Sequence, residues 1–241
     1  MNLQNPKKFQ LLLDQAHETA LNVLRPISRK YDKAEHTYPK ELDMLASLLD
    51  GMNDGGDGLN AGAAVNKRGD QDNSNKNGVN MSTALGVIEM CYGDTGLLLS
   101  MPRQGLGNSA IAAVANDEQL ERFKGTWAAM AITEPGCGSD SAAIRTTATK
   151  DGDDYILNGE KIFVTSGERA DAVVVWATLD KKVGRAAIKS FVVAKGTAGM
   201  KVERLEHKLG IKASDTAVIS FIDCRVPAAN LLGNAEIDVA K

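Results

Sequence analysis

"AITEPGCGSDSAAIRTTATKDGDDYILNGEKIFVTSG", residues 131–167, contains two unusual phrases close together. The first, TEPGCGSD, is a glycine-rich loop carrying hydroxyls and acids; the second, NGEKIFVTSG, feeds a strand that reaches Thr165. Asn158-Gly159 lies between two strand-like runs, a strong short-range signal for a hairpin turn. ADAVVVWATL, KSFVVAKG, GMKVERLEH and TAVISFIDCRVP follow, rich in Val, Ile and Phe and separated by charged or glycine turns. Together these segments predict an antiparallel β domain over residues 126–230.

Upstream the period changes to helical. Asn5-Pro6 is a helix opening, because proline at the first helical position lacks a donor that would be unpaired anyway. Phe9, Leu12, Leu13, Ala16, Ala20, Val23, Leu24 and Ile27 recur at helical spacing, with Pro26 expected to kink or end that helix. TYPKELDMLASLLDG repeats the pattern with Gly51 as a stop, and helical spacing returns from MSTALGVIEM, broken near Gly93 and Pro102. The expected fold class is therefore α+β. An all-helical domain (1–125) precedes the β domain. A crease between segregated domains is a common place for a ligand.

Composition narrows the function. The 241 residues carry a formal charge of −3, with 43% hydrophobic and 24% charged residues, an ordinary globular balance without a nucleic-acid footprint. Cys91, Cys137 and Cys224 form no CxxC pair, which fits a reducing, cytoplasmic setting. No membrane-length apolar run occurs. His17, His36 and His207 lie far apart without metal-like spacing and are read as filler residues, so no metal is expected. Asn, Asp and Gly dominate residues 50–80. The GDGLNA run there meets a dinucleotide fingerprint in letters, but no strand precedes it, so it is rejected as a Rossmann loop.

The two phrases carry the chemistry. Met130 and Ile132 alternate with Ala131 and Thr133, offering a strand face to something flat. Pro135 ends regular pairing, Gly136 and Gly138 permit close backbone approach, and Thr133 and Ser139 add donors suited to carbonyl or phosphate oxygens. Phe163 and Thr165 share a strand face, so a ring and a hydroxyl could meet one planar heterocycle. Either phrase alone reads as a turn of a β domain. Jointly they indicate a planar cofactor with an anionic tail.

AITEPGCGSD, LNGEKIFVTSG, CYGDTGLLLS and HKLGIKASDTAVISFIDCRVP occur in the order and spacing of the acyl-CoA dehydrogenase family, which the chain resembles over most of residues 79–233. The resemblance implies that the antiparallel middle domain is a β-barrel. It also implies FAD-dependent α,β-dehydrogenation of an acyl-CoA thioester in fatty-acid metabolism, with an electron-transferring flavoprotein as acceptor and a homo-oligomeric full-length form. It places Met130, Ile132 and Thr133 along the flavin edge, and Gly138 and Ser139 where the flavin tail and the pantetheine arm approach. Phe163, Val164 and Thr165 match the segment packing on the isoalloxazine, although the family often has Trp at the position of Phe163. Leu98, Leu99 and Met101 fall where helical residues line the acyl pocket, with core packing equally open. Arg185 is positioned either to meet CoA phosphates or to stand solvated.

In the family the base that removes the α-proton is a glutamate of a C-terminal helical domain, whose start the resemblance places at residues 231–241, so no catalytic residue is assigned here. Glu134 sits inside the flavin-loop motif and is read as structural; Glu89 has no better claim. The truncated chain is expected to be inactive alone. Two other readings remain: a non-catalytic flavin- or CoA-binding subunit or remnant, and a flavin oxidase or monooxygenase on the same scaffold.

Overall fold

A computed structural model describes residues 7–53, 79–103 and 106–236. The expectations on Asn5-Pro6 and on GDGLNA lie outside the described residues. Two compact units form. One holds the helices up to residue 103 together with His207–Ser214, and the other holds 106–206 and 215–236.

In the helical unit, α1 (Gln10–Thr19) and α2 (Arg25–Lys33) are joined through a wide turn over Ala20–Leu24. The Arg25 N–H reaches back five residues to the Ala20 carbonyl, and Pro26 sits in the first turn of α2, where its missing donor costs nothing. Pro26 therefore loosens the helical path and restarts it. Leu13, Ala16, Ala20 and Leu24 point into the core, as their spacing requires. The helix α3 (Glu41–Asn53) continues two residues past Gly51, so the expected stop is not used; a single glycine costs only ~1 kcal/mol in a helix. The helix α4 (Val79–Gly93) does end at Gly93. Asp94 then caps the short α5 (Thr95–Leu99), its carboxylate accepting the Leu97 N–H at 2.8 Å. Leu42, Leu45, Met90, Leu97, Leu98, Met101 and Ala213 complete this core.

The second unit is a curled seven-stranded sheet: β1 (Ala128–Ala131), β2 (Thr147–Asp151), β3 (Asp154–Thr165), β4 (Ala172–Thr178), β5 (Ile188–Ala194), β6 (Met200–Leu205) and β7 (Thr216–Pro227). The path runs β1-β4-β2-β3-β7-β6, with β5 on the other edge of β4. Four pairings are antiparallel, but β4 takes β1 and the end of β2 in parallel. The sheet is mixed, which corrects the purely antiparallel barrel expected from sequence. Turn signals report pairing between consecutive strands, whereas β1 pairs with a strand three places later. Asn108, on α6 (Leu106–Val114), ties that helix to the sheet. Its amide donates to the Thr126 carbonyl at 2.6 Å and its side-chain oxygen accepts the Ala128 N–H at 2.9 Å.

The hairpin is displaced as well. The turn lies at Gly152-Asp153 between β2 and β3, and Asn158-Gly159 sits inside the continuous β3. There the register to β7 slips between Leu157 and Gly159, and Gly159 has φ +155°, with space for a Cβ closed by Thr146 Oγ1 at 2.4 Å. The bulge itself lies in β7, where Ile222 and Asp223 stand opposite the single Asn158 and Asp223 takes φ +48°; Asn158 Oδ1 accepts the Asp223 N–H across the ladder at 2.8 Å.

Candidate functional site

The TEPGCGSD loop leaves the end of β1. Pro135 and Gly136 occupy the middle of a tight turn closed by two backbone bonds, Glu134 N–H to the Cys137 carbonyl (2.9 Å) and Cys137 N–H to the Glu134 carbonyl (3.2 Å). The turn is fastened to β3 twice. The Ile162 N–H donates to the Thr133 carbonyl at 2.9 Å, and the Lys161 ammonium donates to the Ile132 carbonyl at 3.0 Å. The two phrases thus lie side by side on one region of the sheet.

Behind them is a buried ionic knot. Lys161 Nζ lies 2.8 Å from Glu134 Oε1, and the two side chains are 0% and 7% exposed. Glu134 also accepts the Thr146 hydroxyl (2.6 Å), the Thr146 N–H (2.9 Å) and the Arg145 N–H (2.6 Å). Burial opposes ionisation of Glu134, but Lys161 and these donors outweigh it and hold its carboxyl below the usual value. Burial also pulls Lys161 down, against the attraction of Glu134. The two effects compete for one proton, and the convergence of four donors on a single carboxylate decides for the ionised pair. Glu134 is therefore structural, as read from sequence. Burial, with Glu134 adding to it, raises the Cys137 thiol, which is thus a poor nucleophile at neutral pH.

The edge of β3 has its own anchor. A second register slip falls between Lys161 and Val164, and Phe163 takes φ +58° there. Phe163 is 60% exposed, Val164 is buried in the core and Thr165 is half-buried. Val164 therefore offers only its main chain to anything at this edge. Asp215 holds the turn that follows: its carbonyl accepts the Ser166 N–H at 3.1 Å, its carboxylate accepts the Glu168 N–H at 2.9 Å, and it pairs with Arg169 at 3.3 Å.

Met130, Ile132 and Thr133 are half-buried beside this edge, while Gly138 and Ser139 are exposed on the loop. The glycines have no role in packing the chain. Neither takes a left-handed backbone, a Cβ on Gly136 would meet nothing within 4 Å, and one on Gly138 would meet only Thr133 Cγ2 at 3.9 Å. Arg185 is exposed on the short turn Gly184–Ala187, which packs against Ser141–Ala143 just beyond the loop. In the helical unit, Leu98 and Met101 are core residues and Leu99 is 42% exposed. Glu89 is engaged by His17 Nδ1 at 2.8 Å. Sequence reading missed Lys161, Thr146 and the Asp215–Arg169 pair, because a charge within a strand carries no sign of its partner.

Helices with a mixed, curled sheet are the fold of butyryl-CoA dehydrogenase from Megasphaera elsdenii, to which the chain is 30% identical with a TM-score of 0.79, covering 98% of this chain and 61% of that one. Residues 129–224 match the model of the acyl-CoA dehydrogenase middle domain, and the chain belongs to the acyl-CoA dehydrogenase family. The short-chain specific acyl-CoA dehydrogenase of Clostridium acetobutylicum is 31% identical over 241 residues, 97% of this chain and 60% of the relative. A glutaryl-CoA dehydrogenase of Mycobacterium smegmatis, solved in complex with FADH2, is 25% identical with a TM-score of 0.76, covering 96% of this chain and 57% of that one. The chain spans between 34% and 60% of the length of three curated relatives. No helix among the described residues is long and apolar enough to cross a membrane.

Proposed function

We propose that this chain is the flavin- and thioester-facing part of an FAD-dependent acyl-CoA dehydrogenase, which converts an acyl-CoA to the 2-enoyl-CoA. The observation that carries the reading is the seam between the two phrases, where the Ile162 N–H meets the Thr133 carbonyl at 2.9 Å. The seam sets an exposed aromatic ring beside a loop whose glycines stay open for no reason internal to the chain.

The residues fit FAD. Phe163 would cover the ring system, Met130 and Ile132 would line its edge, and Thr133, Thr165 and the Val164 main chain would offer polar contacts. Gly138 and Ser139 would admit the diphosphate and the pantetheine arm, and Arg185 would meet the CoA phosphates. FAD, when bound, accepts the β-hydride of the acyl chain. The chain's own part is positioning: the Lys161–Glu134 knot fixes the loop, and the Asp215 anchor fixes the β3 edge. Glu134 is committed to Lys161 and so is not free to remove the α-proton, a task that the family reading gives to a glutamate of a C-terminal helical domain. The reading extends by family to an electron-transferring flavoprotein as acceptor, a cytoplasmic setting and a homo-oligomeric full-length form.

Titrating FAD with this chain, followed by quenching of flavin fluorescence, tests the proposal. Saturable quenching that weakens about fivefold in Thr165→Val, the loss of roughly one hydrogen bond, supports it. A titration without saturation, or one unchanged in Thr165→Val, removes the site. With an artificial electron acceptor the chain alone is expected to leave acyl-CoA unoxidised; steady turnover would place the base within it.

A further inference from the structure

Beyond the end of α2, still within the helical unit, the neighbouring Glu35 and His36 meet a side chain 172 residues from Glu35, His207. Glu35 Oε2 lies 3.0 Å from His207 Nδ1, and Glu35 Oε1 accepts the Lys208 N–H at 2.9 Å. His36 takes a left-handed backbone, φ +66°, and its ring meets His207 edge-on with centroids 5.2 Å apart. Both ring nitrogens of His36 are buried and neither has a hydrogen-bond partner. A buried polar nitrogen left unsatisfied costs ~1–3 kcal/mol and calls for a ligand. One ligand atom from each of Glu35, His36 and His207 lies within 4.8 Å of the other two; among the described residues no other such trio of His, Cys, Asp or Glu occurs.

We propose that Glu35, His36 and His207 bind a divalent transition-metal ion of the zinc class. Two imidazoles and a carboxylate form a donor set suited to zinc, nickel or copper rather than to calcium or magnesium. Ligand atoms about 2.0–2.1 Å from a tetrahedral metal stand about 3.3 Å apart, so the Glu35–His207 pair, at 3.0 Å, is already close to that spacing and His36 has at most about 1.5 Å to close. The Lys208 N–H on the second Glu35 oxygen holds the carboxylate in orientation, as outer partners of metal ligands do. The His207 side chain is 85% exposed, which gives the ion a path from solvent and leaves a fourth position for water. The ion would tie the 207–214 segment to the end of α2, a structural role independent of flavin binding.

The test uses the full chain, stripped with chelator and titrated with Zn2+ alone by calorimetry, in a Cys91→Ser/Cys137→Ser background that removes the two less buried thiols. One ion per chain is expected, with affinity at least tenfold lower in His207→Ala and in Glu35→Gln and unchanged in His17→Ala. Co2+ alone should give visible absorption bands that disappear in the same two variants. Failure to bind one ion per chain, binding unaltered by both substitutions, or an equal loss in His17→Ala overturns the proposal. His207 is at the surface and circular dichroism verifies its fold; should His207→Ala unfold, the Glu35→Gln titration decides alone.

Discussion

Lys161, fully buried in the middle of β3, donates its ammonium to Glu134 at 2.8 Å, and through that contact the loop after β1 is held to a strand 27 residues away. The same ammonium bonds the Ile132 carbonyl, so one side chain secures both the base of the loop and its single buried acid. Two apolar residues would pack as tightly, but they would not fix the direction of the loop. The pair specifies geometry more than it adds stability.

Breaking the pair on one side should therefore be costly. Lys161→Met leaves the Glu134 carboxylate buried without its cation, and the expected loss is ~3–5 kcal/mol of unfolding free energy. Glu134→Gln leaves the Lys161 ammonium, 0% exposed, without its anion, and a similar loss of ~3–5 kcal/mol is expected. Urea unfolding followed by circular dichroism compares them. A Lys161→Met midpoint equal to that of the parent chain contradicts this account of the knot.

The glycines separate folding from binding. Gly159→Ala puts a Cβ 2.4 Å from Thr146 Oγ1 on a backbone with φ +155°, and a loss of ~1–3 kcal/mol is expected. Gly136→Ala and Gly138→Ala meet open space, so their stability should stay within about 0.5 kcal/mol of the parent. Flavin quenching should nevertheless weaken in Gly138→Ala. Thermal melts paired with the quenching titration show whether the two effects part.

Glu41 makes acid stability testable in the helical unit. Its carboxyl is lowered to about 2, first by the hydrogen bond from Lys30 and then by that from Tyr31. A carboxyl depressed in the folded state contributes stability that is fully present above its ordinary value of 4.5 and lost as pH falls through about 2. The difference in melting temperature between the parent and Glu41→Gln should be largest near neutrality and shrink as pH falls through that window. A difference constant from pH 7 to 2 would show that Glu41 contributes nothing through ionisation.

Much of this was legible in the sequence, but only where the signal is local. Leu13, Ala16, Ala20 and Leu24 announce a buried helix face because their contacts follow from a fixed 3.6-residue period. Asn158-Gly159 misled because an Asn-Gly pair reports a permissive backbone, and a strand facing a bulge in its neighbour uses that permission as readily as a turn does. The parallel partners of β4 and the Lys161–Glu134 contact are products of tertiary assembly, which no window of neighbouring residues contains. The same holds for His36 and His207. Sequence distance made them look like fillers, and folding sets their rings 5.2 Å apart.

Phe163 offers the sharpest test, because its local geometry opposes stability. A bulky residue at φ +58° pays ~1–2 kcal/mol for the left-handed backbone, and its ring, 60% exposed, regains little by burial in this chain. Such strain persists where a ligand uses the side chain. Phe163→Gly should relieve it and raise the unfolding free energy by about 1 kcal/mol, less whatever the freer unfolded chain takes back. The same substitution should weaken FAD quenching more than Thr165→Val does, since it removes the ring surface. Phe163→Ala keeps the strain and removes the ring, so it should lose affinity without gaining stability. If Phe163→Gly is destabilised while its flavin titration stays intact, the ring serves the fold and the β3 edge is not a flavin face.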